Sequence, residues 1–198
     1  FPCNGTKHYK LFTSGKEEVV YENDMKETIG LSKYKKVIRQ LFDSQTAVRY
    51  GLGGNEIPLS GTFIQYRGTM INWCPIGRDA SQKERLKWVE LDHRHKIRQS
   101  MLRRLNSFPE ISGIQVKLGG ETSFDIFPSG WDKTYTLKNF KNDDDIWFLG
   151  DRCMEDGNDK ELYDAIKSRT TGDSYQTSGP KETINIINQI IDTVESAK

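Results

Sequence analysis

Residues 61–85 read GTFIQYRGTMINWCPIGRDASQKER, and this stretch decides the fold of the first part of the chain. β-branched and aromatic residues alternate with polar ones on both sides of an Arg-Gly dipeptide, a pattern that predicts an antiparallel hairpin. Ser81 and Glu84 then have the spacing of a capping box, which predicts a helix start. Arg85 is therefore expected in the first turn of that helix.

Three arginines of this stretch, Arg67, Arg78 and Arg85, fall at intervals of 11 and 7 residues. Because a guanidinium group binds phosphate through two parallel hydrogen bonds, they predict an anion-binding site at the hairpin and the helix start. Ser123 and Asp125 lie in a second predicted hairpin, IQVKLGGETSFDIF, and point to the same face of their strand. That face suits sugar hydroxyls, and the alternative is an ordinary solvent-facing strand.

Outward from this stretch, the order helix, hairpin, helix, hairpin predicts an α+β module on one antiparallel sheet at residues 24–127. Its first helix is predicted at residues 32–50, with Ser32 as the helix cap and Phe42 in the apolar stripe. Its longer second helix is predicted at residues 92–105, capped by Asp92.

From residue 130 onward the pattern is typical of α/β proteins. A continuous apolar run predicts a buried strand at residues 146–149, with reactive loops at its carboxyl end. A helix is predicted to start near Trp131, and residues 170–180 are predicted to form a linker. Two further helices are expected at residues 159–166 and 181–196, the last one burying Ile184, Ile187, Ile191 and Val194.

Acidic residues follow the predicted strand, at Asp151, Asp156 and Asp159. Carboxylate oxygens in a flexible loop suit Mg²⁺, although acidic loops are also common as solvated surface. Lys133, at the predicted amino end of a helix, either neutralises an anionic intermediate or is a surface lysine. The three histidines have no spacing that predicts a metal site or a catalytic triad.

Composition restricts the partners and the compartment. The formal net charge of +1 predicts no bulk attraction to nucleic acid, and no run approaches the length of a membrane span. Three widely spaced cysteines without a CxxC motif favour a reduced, cytoplasmic protein. The opening residues FPCNGTKHYK lack the order of a signal peptide, and the start at Phe1 leads us to expect a portion of protein upstream.

Several of these motifs occur together in one family. The chain closely resembles eukaryotic-type phosphomannomutase of the haloacid dehalogenase superfamily. The resemblance is carried by residues 61–85 and then by ELD followed by KIRQ, GGETSFDIFPSGWDK, FLGD and GND. The resemblance implies an α/β, Rossmannoid core holding Mg²⁺ and an α+β cap domain built on an antiparallel sheet. It assigns residues 1–23 and 128–198 to the core, whose N-terminal part is missing here, and 24–127 to the cap.

The resemblance also implies roles for individual residues. The substrate-binding residues of the cap would be Arg67, Arg78, Arg85, Ser123 and Asp125. Lys133 would lie beside the transferred phosphoryl group, and Phe63 in the contact of a cap-mediated homodimer. Asp151 would be a metal ligand, with Asp159 as a further candidate, and Tyr163 and Thr170 would belong to a second cation site.

The implied reaction interconverts mannose 6-phosphate and mannose 1-phosphate through a hexose 1,6-bisphosphate and an aspartyl-phosphate enzyme, as a step toward GDP-mannose. The DxDGT motif that carries the nucleophile and the acid-base aspartate in this superfamily is absent from the 198 residues. We expect it upstream of Phe1. Two alternatives stay open, a catalytically silent sugar-phosphate-binding or structural subunit and a sugar-phosphate phosphatase on the same scaffold.

Overall fold

The computed structural model describes residues 1–51, 57–154 and 157–196, with residues 49–51 described by their backbone alone. The chain divides into two compact units, Phe1–Tyr135 and Thr136–Lys198. Each unit has its own sheet and helices. The predicted division into core segments 1–23 and 128–198 and a cap at 24–127 differs from these bounds and stays a prediction.

The first unit contains six strands and four α-helices in its described part. In chain order these are β1 (Lys7–Leu11), β2 (Glu17–Glu22), α1 (Met25–Ile29), α2 (Leu31–Gly51), β3 (Ile64–Tyr66), β4 (Ile71–Trp73), α3 (Gln82–His95), α4 (Ile97–Asn106), β5 (Ile114–Gly119) and β6 (Ser123–Pro128). Strands β1 and β2 form a separate antiparallel pair. The helix predicted near Trp131 is a 3-10 helix, Lys133–Asn139.

The main sheet has four antiparallel strands in the order β3-β4-β6-β5, so both predicted hairpins are confirmed. Asn72 of β4 is paired with Gln65 on one side and with Asp125 on the other. Asp125 is in turn paired with Lys117 of β5. Since side chains alternate along a strand, these four polar residues form one row across a single face of the sheet.

The opposite face carries the core of the unit. Ile71 and Trp73 of β4 are fully buried there, and the ring of Trp73 stacks on that of Phe124 at a centroid distance of 5.0 Å. Trp73 also donates its indole N–H to Gln45 of α2 over 2.8 Å. Such an aromatic pair contributes about 0.5 to 1.5 kcal/mol beyond its area burial. The tryptophan therefore fixes α2 to the centre of the sheet.

Helix α2 begins one residue before the predicted start, so Ser32 lies inside it and is not its cap. The preceding Gly30 has φ 78°, and this turn separates α1 from α2. Of the predicted apolar stripe, Val37 and Leu41 are buried, whereas Phe42 is 60% exposed. The stripe prediction was wrong for Phe42 because only the side of α2 that contacts the sheet is covered.

The predicted single helix at residues 92–105 is two helices. Helix α3 continues to His95, and Lys96 in the left-handed conformation (φ 52°) turns the chain into α4. Asp92 lies inside α3 and is not the N-cap of α4, which is Lys96, but its Oδ1 accepts the backbone N–H of Arg98 in the first turn of α4 over 2.7 Å. Its Oδ2 pairs with the Arg98 guanidinium over 2.7 Å, and both side chains are nearly buried.

The second unit is a βαβ arrangement followed by a long helix: β7 (Trp147–Gly150), α5 (Lys160–Lys167), β8 (Asp173–Gln176) and α6 (Pro180–Ser196). Strand β8 runs parallel to β7, and α5 buries Leu162 and Ile166. The prediction of a linker at residues 170–180 was wrong. A short polar strand of sequence DSYQ carries little local signal and is defined by its pairing with β7.

Two burial predictions for this unit were also wrong. Strand β7 is not covered on both faces, since Trp147 is 37% exposed. Helix α6 exposes Ile184, Ile187 and Ile191, while Val194 is partly covered. Periodicity identifies an apolar face but does not say what packs on it. Among the described residues, no helix has the length and apolar character needed to cross a membrane.

We expect Asp92→Ala to lower the free energy of unfolding of the first unit by roughly 3 kcal/mol or more, because it leaves the Arg98 guanidinium nearly buried and unpaired. Urea unfolding followed by tryptophan fluorescence measures this change. The control is Glu90→Ala, which removes an ion pair to Arg94 whose side chains are 73% and 66% exposed. Its expected cost is roughly 0.5 kcal/mol or less, and equal costs for the two variants would contradict the burial argument.

Candidate anion-binding site

A cavity of about 330 Å³ opens on the polar face of the main sheet. It is lined by Arg67, Asn72, Arg78, Arg85, Gly119, Gly120, Glu121, Thr122, Ser123 and Asp125. All five residues predicted to bind substrate are among them. All of these lining residues belong to the first unit, where they lie in the β3-β4 hairpin, in the segment that leads into the start of α3 and in the β5-β6 hairpin.

Arg67 lies at the turn of the β3-β4 hairpin, where its backbone N–H donates to the carbonyl of Met70 over 2.8 Å. Gly68 has φ 79°, which the tight turn requires. The guanidinium Nε of Arg67 donates to Gln65 over 3.2 Å. This contact holds the half-buried arginine over the polar row of the sheet.

Arg85 is positioned by the predicted capping box, which is present. Two hydrogen bonds from Ser81 hold the pKa of Glu84 below its ordinary value. The larger effect comes from the Ser81 hydroxyl and the smaller one from the Ser81 backbone N–H. From the first turn of α3, Arg85 donates to the carbonyls of Ala80 (2.9 Å) and Arg78 and to the Thr122 hydroxyl (3.3 Å). Arg85 therefore braces the loop that carries Arg78 as well as facing the cavity.

Asn72 connects the two sides of the cavity. Its side-chain amide donates to Ser123 Oγ over 3.1 Å and to Asp125 Oδ1 over 2.8 Å. Its carbonyl oxygen accepts from Arg78 Nη1 over 2.7 Å. A cation and a carboxylate are thus joined through one neutral amide, which is 3% exposed.

Ser123 and Asp125 are on the same face, as predicted. The hydroxyl of Ser123 donates to the carbonyl of Gly119 over 2.7 Å. The Asp125 carboxylate lies against the α-carbon of Gly119, so closely that a Cβ there would be 2.9 Å from Asp125 Cγ. Gly119 therefore provides room for the carboxylate and does not serve a backbone turn.

The charges of the cavity favour an anion. Three guanidinium groups face it, against the carboxylates of Glu121 and Asp125. Guanidinium forks match the oxygens of phosphate, while a carboxylate accepts hydrogen bonds from hydroxyl groups. The combination suits a ligand that has a phosphate at one end and hydroxyls beside it.

Lys133 and Phe63 lie elsewhere in the first unit. Lys133 is the first residue of the 3-10 helix Lys133–Asn139 and does not line the cavity. Phe63 immediately precedes β3, is partly buried, and accepts a hydrogen bond at its carbonyl from the Cys74 N–H over 2.8 Å. The roles predicted for these two residues stay predictions.

The predicted metal ligands belong to the second unit. Asp151 follows β7 directly and is exposed. Asp159 is 3% exposed, and its carboxylate accepts the Arg152 N–H over 3.1 Å while its own N–H donates to the Arg152 carbonyl. This reciprocal pair of hydrogen bonds holds Asp159 beside Arg152, the residue that follows Asp151 in the chain. A Cβ on Gly157 would lie 2.0 Å from the Arg152 carbonyl oxygen, so only glycine fits in this tight loop.

These residues fit a metal ion in donor type but not in number. Carboxylate oxygens are the ligands that Mg²⁺ takes, yet the described residues contain no group of three or more His, Cys, Asp or Glu side chains that could hold a metal. Asp156 lies outside the described residues. Tyr163 is partly buried on α5 and accepts a hydrogen bond at its carbonyl from Ser174, whereas Thr170 is exposed after α5.

The sequence prediction missed five residues of the cavity. They are Asn72, Gly119, Gly120, Glu121 and Thr122. Asn72 was detectable in principle, because it is a polar residue between the apolar Ile71 and Trp73 of a predicted strand. Gly119 ends β5, and the other three form the turn between β5 and β6, where side-chain directions depend on the register of the two strands.

Comparison with known proteins agrees with this architecture. The chain is 15% identical to an IMP-nucleotidase of Plasmodium falciparum, solved N-terminally truncated and bound to IMP. The TM-score is 0.50, over 92% of this chain and 45% of that one. This likeness concerns the fold alone. The fold and the cavity together define an α/β protein of haloacid dehalogenase-like architecture with an arginine-lined cavity on its antiparallel sheet.

The family model for eukaryotic phosphomannomutase matches residues 1–193, and the chain belongs to this family. It is 37% identical to the phosphomannomutase of Encephalitozoon cuniculi over 82% of the chain and 60% of that protein. It is 42% identical to that of Nicotiana benthamiana over 65% of the chain and 50% of that protein. For the Saccharomyces cerevisiae enzyme the identity is 37%, over 96% and 70%. The chain thus spans about half to two thirds of the length of the first curated relatives it matches.

Gly119→Ala tests the close contact with Asp125. Because Gly119 has an ordinary strand backbone, the added methyl acts only by displacing the carboxylate from Asn72, and we expect a loss of roughly 1 to 3 kcal/mol in unfolding free energy. Chemical denaturation measures it. In an Asp125→Ala background the same glycine change should cost within roughly 0.5 kcal/mol, and an equal cost in both backgrounds would refute the contact.

Proposed function

We propose that the cavity binds the phosphate of a hexose phosphate, and that the protein is a phosphomannomutase interconverting mannose 6-phosphate and mannose 1-phosphate. The observation that carries this proposal is the convergence of Arg67, Arg78 and Arg85 with Ser123 and Asp125 around one cavity, in a chain of the eukaryotic phosphomannomutase family. Relatives named phosphomannomutase support it.

The chemistry of the cavity divides between its two sides. Arg67, Arg78 and Arg85 bind the phosphate that is not being transferred, so the sugar is held by its far end. Ser123 and Asp125 meet the adjoining sugar, where the carboxylate accepts hydroxyl hydrogen bonds. A hexose 1,6-bisphosphate has a phosphate at C1 and another at C6. Whichever of the two is being transferred, the other phosphate lies at the far end of the sugar. The same arginines therefore serve both orientations of a 1,6-bisphosphate intermediate.

The phosphoryl transfer itself needs groups beyond this cavity. We assign the transferred group to an aspartyl-phosphate enzyme whose nucleophile and acid-base aspartate are not residues of this chain. Lys133 would neutralise charge on that group. Mg²⁺ would take Asp151 as a ligand, with Asp159, Tyr163 and Thr170 as candidates for further cation contacts, and would supply Lewis-acid stabilisation when bound.

The remaining proposals concern the setting of the enzyme. We place residues 24–127 in a cap domain and 1–23 with 128–198 in the core, with a homodimer formed through the region of Phe63. A cytoplasmic location and a role in GDP-mannose synthesis accompany the proposed activity. A hexose 1,6-bisphosphate serves as activator, because the resting enzyme must be phosphorylated before the first turnover.

An assay of the protein from its native source decides the activity. Mannose 1-phosphate is supplied with glucose 1,6-bisphosphate and Mg²⁺, and both mannose 6-phosphate and free phosphate are measured. We expect mannose 6-phosphate to form without an equal release of phosphate, and the activity to be lost with EDTA and restored by Mg²⁺. Release of phosphate without mannose 6-phosphate identifies a phosphatase, and binding without any product identifies a silent subunit.

Arg78→Ala tests the cavity directly. Because the arginine supplies a charge-assisted contact to phosphate, we expect its loss to weaken mannose 1-phosphate binding by roughly 2 to 4 kcal/mol in titration calorimetry. Arg94→Ala is the matched control, since this arginine is 66% exposed on α3 and does not line the cavity. An unchanged affinity in Arg78→Ala would remove this residue from the site.

A further inference from the structure

Asn72 is a buried polar residue in an otherwise apolar strand segment. Ile71 and Trp73 on either side of it are fully buried in the core. The strand pairs with β3 on one edge and β6 on the other, so Asn72 lies at the centre of the sheet. A polar side chain is kept at such a position only if its hydrogen bonds are satisfied.

The partners of Asn72 determine how its amide is oriented. A guanidinium can only donate and an ionised carboxylate can only accept, so the oxygen faces Arg78 and the nitrogen faces Asp125. The two bonds measure 2.7 Å and 2.8 Å. An amide provides an acceptor and two donors on separate atoms, whereas the hydroxyl of Ser or Thr donates and accepts at one and the same oxygen.

The alternative arrangement of the same charges is a direct ion pair. Arg78 and Asp125 are separated by the single amide of Asn72, and guanidinium with carboxylate forms a bidentate pair when nothing intervenes. In such a pair the guanidinium faces the protein carboxylate in place of a phosphate. The carboxylate likewise ceases to accept from sugar hydroxyls.

We propose that Asn72 is a positioning residue that keeps Arg78 and Asp125 apart, so that one binds phosphate and the other binds the sugar. This inference rests on the proposed function for the identity of the ligand. The separation of the two charges is a property of the cavity itself and is testable with inorganic phosphate. It makes Asn72 necessary for affinity through the two charges that it separates.

A double-mutant cycle of Asn72→Ala and Asp125→Asn tests this proposal. We expect Asn72→Ala to weaken the binding of inorganic phosphate at least roughly tenfold, because Arg78 then pairs with Asp125. Adding Asp125→Asn removes the competing carboxylate and should restore most of the lost affinity. The gain from Asp125→Asn should be at least roughly fivefold larger in the alanine background than in the wild type.

A purely structural role of Asn72 gives a different result. Damage to the sheet is not repaired by a second substitution, so gains from Asp125→Asn that agree within about twofold in the two backgrounds overturn the proposal. Gln65→Ala is the control, since Gln65 occupies the same row and hydrogen-bonds Arg67. Its cycle with Asp125→Asn is expected to be additive. Asn72→Ser replaces the alanine variant if melting shows that alanine unfolds the protein, because a serine hydroxyl is too short to bridge both charges.

The same experiment separates this inference from the proposed function. If the wild type binds inorganic phosphate but not mannose 1-phosphate, the proposed function fails and the cycle still decides the role of Asn72. If it binds mannose 1-phosphate and the cycle is additive, the function stands and the inference is overturned. If it binds neither, both are overturned.

Discussion

The alternation of side chains along β4 is the constraint on which the site depends. Trp73 and Ile71 face the core, and Asn72 between them faces the cavity. The stacking of Trp73 on Phe124 and its hydrogen bond to Gln45 hold the strand against the helices. Because the strand cannot shift by one residue without exposing its tryptophan, the register that brings Asn72 opposite Asp125 is also fixed.

The ends of helices α3 and α4 hold the loops that line the cavity. The capping box at the start of α3 places Arg85 beside the loop of Arg78, and Arg85 binds that loop through its backbone carbonyls. At the junction of α3 and α4, Arg98 pairs with Asp92 and also donates to the carbonyl of Gly120 in the β5-β6 turn. Both cavity walls are therefore tied to helix termini, and polar contacts that stabilise the fold also shape the site.

Local signals predicted most of the first unit, because hairpins and helix caps are defined by neighbouring residues. Both hairpins, the capping box and the set of Arg67, Arg78 and Arg85 follow from spacing alone. Asn72 was missed because its role depends on pairing with β6, about fifty residues away. Strand β8 and the exposed isoleucines of α6 were misjudged for a related reason: parallel pairing and the cover of an apolar face are decided by distant parts of a chain.

The three arginines are not equivalent once the cavity is formed. Arg85 is held by three protein oxygens, so a ligand finds it already ordered and little rotamer entropy is lost on binding. A rigid cation of this kind attracts any oxyanion of suitable size. At the proposed site, discrimination would come from Asp125, whose negative charge repels an anion that brings no hydroxyl to it. The Asp125 carboxylate, which packs against Gly119, would thus select among the anions that the arginines attract.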